Sequence, residues 1–280
     1  MSLQPESGLG LPSCYKGVAE SGDPSALASG ARLPPAGGIG PEEMSESIAR
    51  RLNRRDWGAI HGSLREHGYA RLPRLLSAGE CAALARLYGD DRRFRSTIDM
   101  ARHRFGVGEY RYFDYPLPPI VAELRRSAYP HLAPLANEWG QAPRERRQYP
   151  PTLERFLALC HRSGQKKPTP LLLRYEAGGY NCLHRDLYGE IAFPMQLAVF
   201  LSRPGADYEG GAFLLVEQRP RQQSRGEAFV PEQGEAVVFA TAERPVTGSR
   251  GTFRAGMRHG VARVTRGERY TLGVIFHEAR

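Results

Sequence analysis

The stretch Tyr175-Glu176-Ala177-Gly178-Gly179-Tyr180-Asn181-Cys182-Leu183-His184-Arg185-Asp186 decides the reading of this chain. It continues the apolar run Leu171-Leu172-Leu173-Arg174-Tyr175, turns at two glycines and re-extends toward His184. In extended chain, side chains two apart point to the same side. His184 and Asp186 are therefore expected to face one point while Arg185 faces away. A second histidine, His259, follows several strand lengths later.

Working outward, residues 170–280 contain further short apolar runs: Met195 to Leu201, Ala212 to Val216, Ala236 to Phe239 and Tyr270 to Phe276. Glycines and prolines separate them, which predicts a double-sheet β architecture, a jelly roll. Residues 41–169 read differently. Apolar positions Ile48, Leu52, Ile60 and Leu64 suggest one or two amphipathic helices. Gly68 to Pro73 carries a strand signal, and Ser77-Ala78-Gly79-Glu80 is a capping box opening a helix to about Tyr88. Tyr110 to Tyr115 is expected as a strand, and Ile120 to Trp139 as a helix broken at Pro130 or Pro134. Residues 1–40, rich in Gly, Pro, Ser and Ala, read as a disordered leader, with order beginning near Pro41. The fold class expected is thus α+β: a helical and mixed N-terminal half, then a β-rich core.

The 280 residues carry a net charge of +9, with 41% hydrophobic and 25% charged side chains. Those proportions suit a globular domain with a sizeable core. No apolar run approaches the roughly 20 residues that span a bilayer, so membrane insertion is not expected. No basic start followed by an apolar stretch opens the chain, so a secretory signal is not expected either. The four cysteines are scattered without a C-x-x-C pair, which points to reducing cytoplasm rather than a disulfide framework. Residues 91–174 hold 16 basic and 8 acidic side chains, almost the whole excess. A localised basic excess suits contact with DNA or RNA.

Two imidazoles and one carboxylate form the facial triad of non-haem Fe(II) oxygenases, which leaves coordination positions open. His184, Asp186 and His259 are the candidate ligands. Arg269 and Thr271 alternate onto one face of the last strand. An arginine there forks two hydrogen bonds onto a carboxylate, and a hydroxyl completes the grip. Arg263 and Arg266 compete for that role, although Gly267 makes Arg266 a turn residue.

With these residues in place, a resemblance emerges. Tyr175 to Tyr180 followed by His184 and Asp186 resembles the opening motif of the Fe(II)/2-oxoglutarate oxygenase superfamily in its prolyl-4-hydroxylase-like form. Glu209 to Phe213, Gly234 to Phe239, and Met257 to Val261 followed by Arg269 resemble its later motifs, in order. The resemblance implies a double-stranded β-helix core, bound Fe(II), 2-oxoglutarate as co-substrate and O₂. It further implies Arg269 as the partner of the distal carboxylate and Tyr175 as a co-substrate contact. The whole chain also resembles a bacterial group described as oxygenases acting on alkylated DNA, which implies oxidative demethylation of nucleobases.

Arg104, Tyr110, Arg111 and Tyr112 are the candidate substrate residues, because interleaved arginines and aromatics suit phosphate contact with base stacking. Two other functions stay open: protein side-chain hydroxylation of the prolyl type, and a non-enzymatic nucleic-acid-binding or sensor protein.

Overall fold

A computed structural model of the protein describes residues 46–140, 148–186, 189–249 and 251–280. The expected leader and the helical start at Pro41 lie outside them. Two helices come first, α1 (Ile48–Asn53) and α2 (Trp57–His67), each capped by a side chain, Ser47 and Asp56. Such caps give acceptors to amide groups that the first turn leaves unpaired. Gly68, left-handed at φ 80°, ends α2 and turns the chain into β1 (Tyr69–Leu72). Ser77 and Glu80 form the expected reciprocal capping box on α3 (Ala78–Arg86). Three strands follow: β2 (Phe94–Asp99), β3 (Gly106–Val107) and β4 (Glu109–Phe113).

The next helix, α4 (Pro119–Trp139), runs through Pro130 and Pro134, where the sequence suggested a break. Both prolines lie on its exposed side. Leu124, Ala128, Leu132, Leu135 and Trp139 bury the opposite side. Each large apolar side chain contributes roughly 1.5–3 kcal/mol on burial. Together they outweigh an interior cost of about 3 kcal/mol per proline. Helix α5 (Leu153–Arg162) packs beside it, Phe156 stacked on Tyr129 at 5.4 Å.

The remaining chain is β-rich: β5 (Leu171–Glu176), β6 (Tyr180–His184), β7 (Met195–Phe200), β8 (Tyr208–Gly210), β9 (Phe213–Gln218), β10 (Arg225–Phe229), β11 (Ala236–Ala240), β12 (Glu243–Gly248), β13 (Gly251–Val261) and β14 (Val264–Val274). One sheet runs β1-β11-β7-β14-β5-β4-β2, with β8 on β14. The other runs β10-β9-β13-β6-β3, with β12 on β13. The strand pairs are antiparallel. Strands from before residue 170 therefore enter both sheets, and the described residues belong to one compact unit.

Side-chain alternation assigns each face. Met195, Leu197 and Val199 of β7, with Val238 of β11, join the helices in the main core. Their neighbours Ala198, Phe200, Val237 and Phe239 meet Phe213 and Leu215 of the other sheet. Both faces are covered, which is why these strands read as continuous apolar runs. A polar side chain on the face between the sheets is the exception, and those exceptions form the site.

Candidate metal centre and the cavity around it

His184 ends β6 and His259 lies opposite it on β13, the two being direct register partners. Opposed residues of an antiparallel pair project to the same face. Their ring centroids are 4.1 Å apart. Asp186 lies two residues beyond the end of β6 and turns back to both rings. Its Oδ1 is 3.5 Å from His184 Nε2 and its Oδ2 is 3.1 Å from His259 Nε2. One candidate ligand atom from each residue lies within 4.8 Å of the others. His184 Nδ1 donates to the Cys182 carbonyl at 2.8 Å, because a carbonyl only accepts. That leaves the Nε2 lone pair aimed at the shared point.

The electrostatics suit a cation. Burial pushes the Asp186 carboxyl up, but His259, His184 and a hydrogen bond from Gln196 together hold it well below the usual carboxylate range. Burial, and then the neighbouring His259, keep His184 toward its neutral, ligating form. The donor set of two imidazoles and one carboxylate fits iron(II), with positions left for further oxygen ligands.

A cavity of about 400 Å³ extends from these three residues to Tyr175, Arg269 and Thr271. Arg269 of β14 and Tyr175 of β5 are register partners, and both are fully buried. Arg269 Nη1 donates to Thr271 Oγ1 at 2.8 Å, as alternation along the strand requires. Its Nε and Nη2 are buried with no hydrogen-bond partner among the described residues. Its guanidinium carbon lies 5.3–5.9 Å from the ring centres of Phe200, Tyr175 and Tyr208. Two unpaired guanidinium N–H groups in an apolar pocket are what a carboxylate would satisfy. The competitors are engaged elsewhere: Arg266 bonds Glu209 at 2.8 Å and Arg263 lies over the Tyr180 ring.

Of the candidate substrate residues, Arg104, Tyr110 and Tyr112 line the cavity. Arg111 does not. It alternates to the opposite face of β4, where it bonds Glu109 and Asp91 and stacks over Tyr88 at 4.5 Å. Arg185 departs from expectation the other way. It lines the cavity, because strict alternation stops where β6 ends at His184. Part of the basic excess of residues 91–174 is held in ion pairs: Arg92 and Arg93 on Asp90, Arg102 on Asp99, Arg174 on Glu176 and Glu268, and buried Arg125 near Glu278. Sequence reasoning missed Gln196. Its Nε2 donates to Asp186 Oδ2 at 2.9 Å and lies 3.4 Å from His259 Nε2. The signal was a lone polar residue inside the otherwise apolar run Met195 to Leu201.

A family model described as an oxygenase catalysing oxidative methylation of damaged DNA matches residues 108–279. Two uncharacterised proteins from strains of Mycobacterium tuberculosis are each 44% identical over 181 residues, covering 63% of this chain and 78% of the relative. Among solved structures, a prolyl 4-hydroxylase of Phytophthora capsici superposes with a TM-score of 0.50 at 17% identity, covering 85% of this chain and 68% of that one. A prolyl-4-hydroxylase of Pseudomonas putida gives 0.47 at 17% identity, covering 80% and 99%. The first of these shares the fold. In the described residues no helix is long and apolar enough to cross a membrane.

Proposed function

Because the chain belongs to the family of oxygenases described as catalysing oxidative methylation of damaged DNA, we propose that it oxidises methyl groups carried on DNA bases. We further propose that its two sheets form a double-stranded β-helix, with His184, Asp186 and His259 holding Fe(II). In this reading Arg269 and Thr271 hold the distal carboxylate of 2-oxoglutarate, with Tyr175 beside them. The single observation that carries the reading is the shared cavity. Three convergent metal donors stand at one place in it, and a buried guanidinium with two unpaired N–H groups at another.

Iron(II) with 2-oxoglutarate and O₂ supplies, when bound, the oxidising power that turns a C–H bond into C–OH. The chain's own residues orient and exclude. The ladder between β6 and β13 fixes the two imidazoles, and Gln196 steadies the carboxylate between them. Arg269 and Thr271 fix the far end of the co-substrate, the positional part of catalysis. Phe213 and Phe239 keep the cavity floor apolar. Tyr110 and Tyr112, edge to face at 5.5 Å, offer rings to a base. A methyl on a base nitrogen, once hydroxylated, leaves as formaldehyde when the carbon–nitrogen bond breaks and the nitrogen regains its proton. A cytoplasmic setting suits the free thiols of Cys81, Cys160 and Cys182.

The test is the reaction itself. Purified protein with Fe(II) and 2-oxoglutarate should form succinate, and should release formaldehyde from N-methylated oligonucleotides. Succinate coupled instead to hydroxylation of a peptide would move the substrate to protein side chains. Absence of any 2-oxoglutarate turnover would leave only a binding role.

A further inference from the structure

Phe105, Val107 and Leu183 are exposed large apolar side chains on the β3–β6 pair and the turn before it. Phe105 and Leu183 stand at the metal cavity with Arg104 and Arg185 beside them. Phe105 is 47% exposed and Leu183 41%. A short ladder sets the backbone that presents them. Cys182 N–H donates to the Phe105 carbonyl at 2.8 Å, while Gly106 and Val107 pair with Asn181 and Tyr180 of β6. Gly106 has φ 139°, and a Cβ there would collide with the Tyr180 carbonyl. Only glycine permits this close approach. Arg104, left-handed at φ 59°, closes the preceding turn, and the His103 ring stacks on Phe105 at 5.4 Å. A ring held this way in water, on a strand pair that ends at a metal donor, is unexplained by packing.

Charge says what it faces. Arg104 and Arg185 have no ion-pair partner among the described residues, whereas Arg102 and Arg111 nearby have one. Among the described lining residues, Asp186 is the one carboxylate of the cavity. An apolar tip on a cavity rim that also carries two cations without ion pairs complements a chain of phosphates carrying flat apolar bases.

We propose that Arg104, Phe105, Leu183 and Arg185 form a wedge that grips double-stranded DNA around one displaced nucleotide. The proposal rests on the nucleobase reading above. A base must leave its stack to reach His184 and His259. Phe105 and Leu183 fill the gap it leaves, as inserted apolar side chains do at unstacked steps. Arg104 and Arg185 bind the phosphates on either side.

One methylated oligonucleotide, presented single-stranded and as a duplex, separates the outcomes. Phe105→Ala should lower kcat/KM for formaldehyde release on the duplex by roughly tenfold more than on the single strand. Phe105→Trp, which keeps a ring at the tip, should restore the wild-type ratio and so excludes simple misfolding. An unchanged ratio in Phe105→Ala overturns the wedge and leaves the nucleobase reading intact. A wild-type protein inactive on both forms overturns that reading, and the wedge with it. Arg104→Ala should reduce the slope of log affinity against log salt by about one. An unaltered slope removes Arg104 from phosphate contact.

Discussion

His184 and His259 are direct partners across the β6–β13 ladder, with ring centroids 4.1 Å apart. Their separation is therefore set by strand spacing, not by the reach of flexible side chains. The register shifts immediately beyond, where Val261 pairs with Asn181, so β6 carries one extra residue and bends just before His184. Asp186 completes the group from outside the ladder, so it is the member whose position depends on a loop.

Loss of either kind of donor should therefore end the chemistry. His184→Ala and Asp186→Ala are expected to form no succinate above background with added Fe(II), and to keep a cooperative thermal transition. Turnover by either variant would remove that residue from the metal site.

Arg269 carries a sharper expectation, because its guanidinium is buried with two N–H groups unpaired. A buried, unpaired cation is costly, and a well-packed apolar replacement is often neutral or stabilising. Arg269→Leu should melt within about 1 kcal/mol of the wild type without ligand, yet raise KM for 2-oxoglutarate at least roughly tenfold. At 100 times the wild-type Kd, 2-oxoglutarate should stabilise the wild type by about 2.7 kcal/mol and a variant with tenfold weaker affinity by only about 1.4 kcal/mol. Calorimetry with and without the keto acid checks both halves.

Gln196 touches two candidate ligand atoms, Asp186 Oδ2 and His259 Nε2. Gln196→Leu keeps the shape and removes the donor. Removing a partner of a ligand typically weakens metal affinity about 10–100-fold. Anaerobic Fe(II) titration should show a loss of that order while turnover persists at saturating iron. Unchanged affinity would make Gln196 a packing residue.

The capping box predicts how stability responds to acid. Burial raises the Glu80 carboxyl, but Arg51 and Ser77 outweigh it and hold it below its ordinary 4.5. A folded value below the unfolded one stabilises above the unfolded value and is lost as pH falls through the folded one. Glu80→Gln should thus cost on the order of 1 kcal/mol at pH 7. The gap should shrink below about 4.5 and close under the lowered folded value. Urea midpoints at several pH values measure it.

Much of the site was legible because its signals are local. Arg269-x-Thr271 depends on spacing of two along extended chain, and capping by Ser77 and Glu80 on spacing of three; His184 and Asp186 also converge, but Asp186 does so from beyond the end of β6. The failures came where long-range packing decides. Nothing within Ile120 to Trp139 reveals that both prolines fall on the solvent side of a helix whose other side is buried. Arg111 looked like Arg104 by type, yet alternation on β4 assigns it to Glu109 and Asp91. Arg185 faces the cavity because β6 stops one residue earlier. Gln196 needed its strand neighbours to be recognised as doubly covered before its polarity became informative.

The strand β14 pairs with β5 on one side, β7 on the other and β8 at its start. Arg269 therefore rides on a stretch of backbone that can open only when much of the sheet opens with it. The segment that presents Phe105 is held by the two-residue β3 and a neighbouring amide bond. Amide hydrogens along Arg269–Gly273 should accordingly trade with deuterium at rates governed by global unfolding, and those near Phe105 through small local excursions. The proposed co-substrate anchor is rigid by construction, so any breathing that admits a bulky guest belongs to the opposite wall.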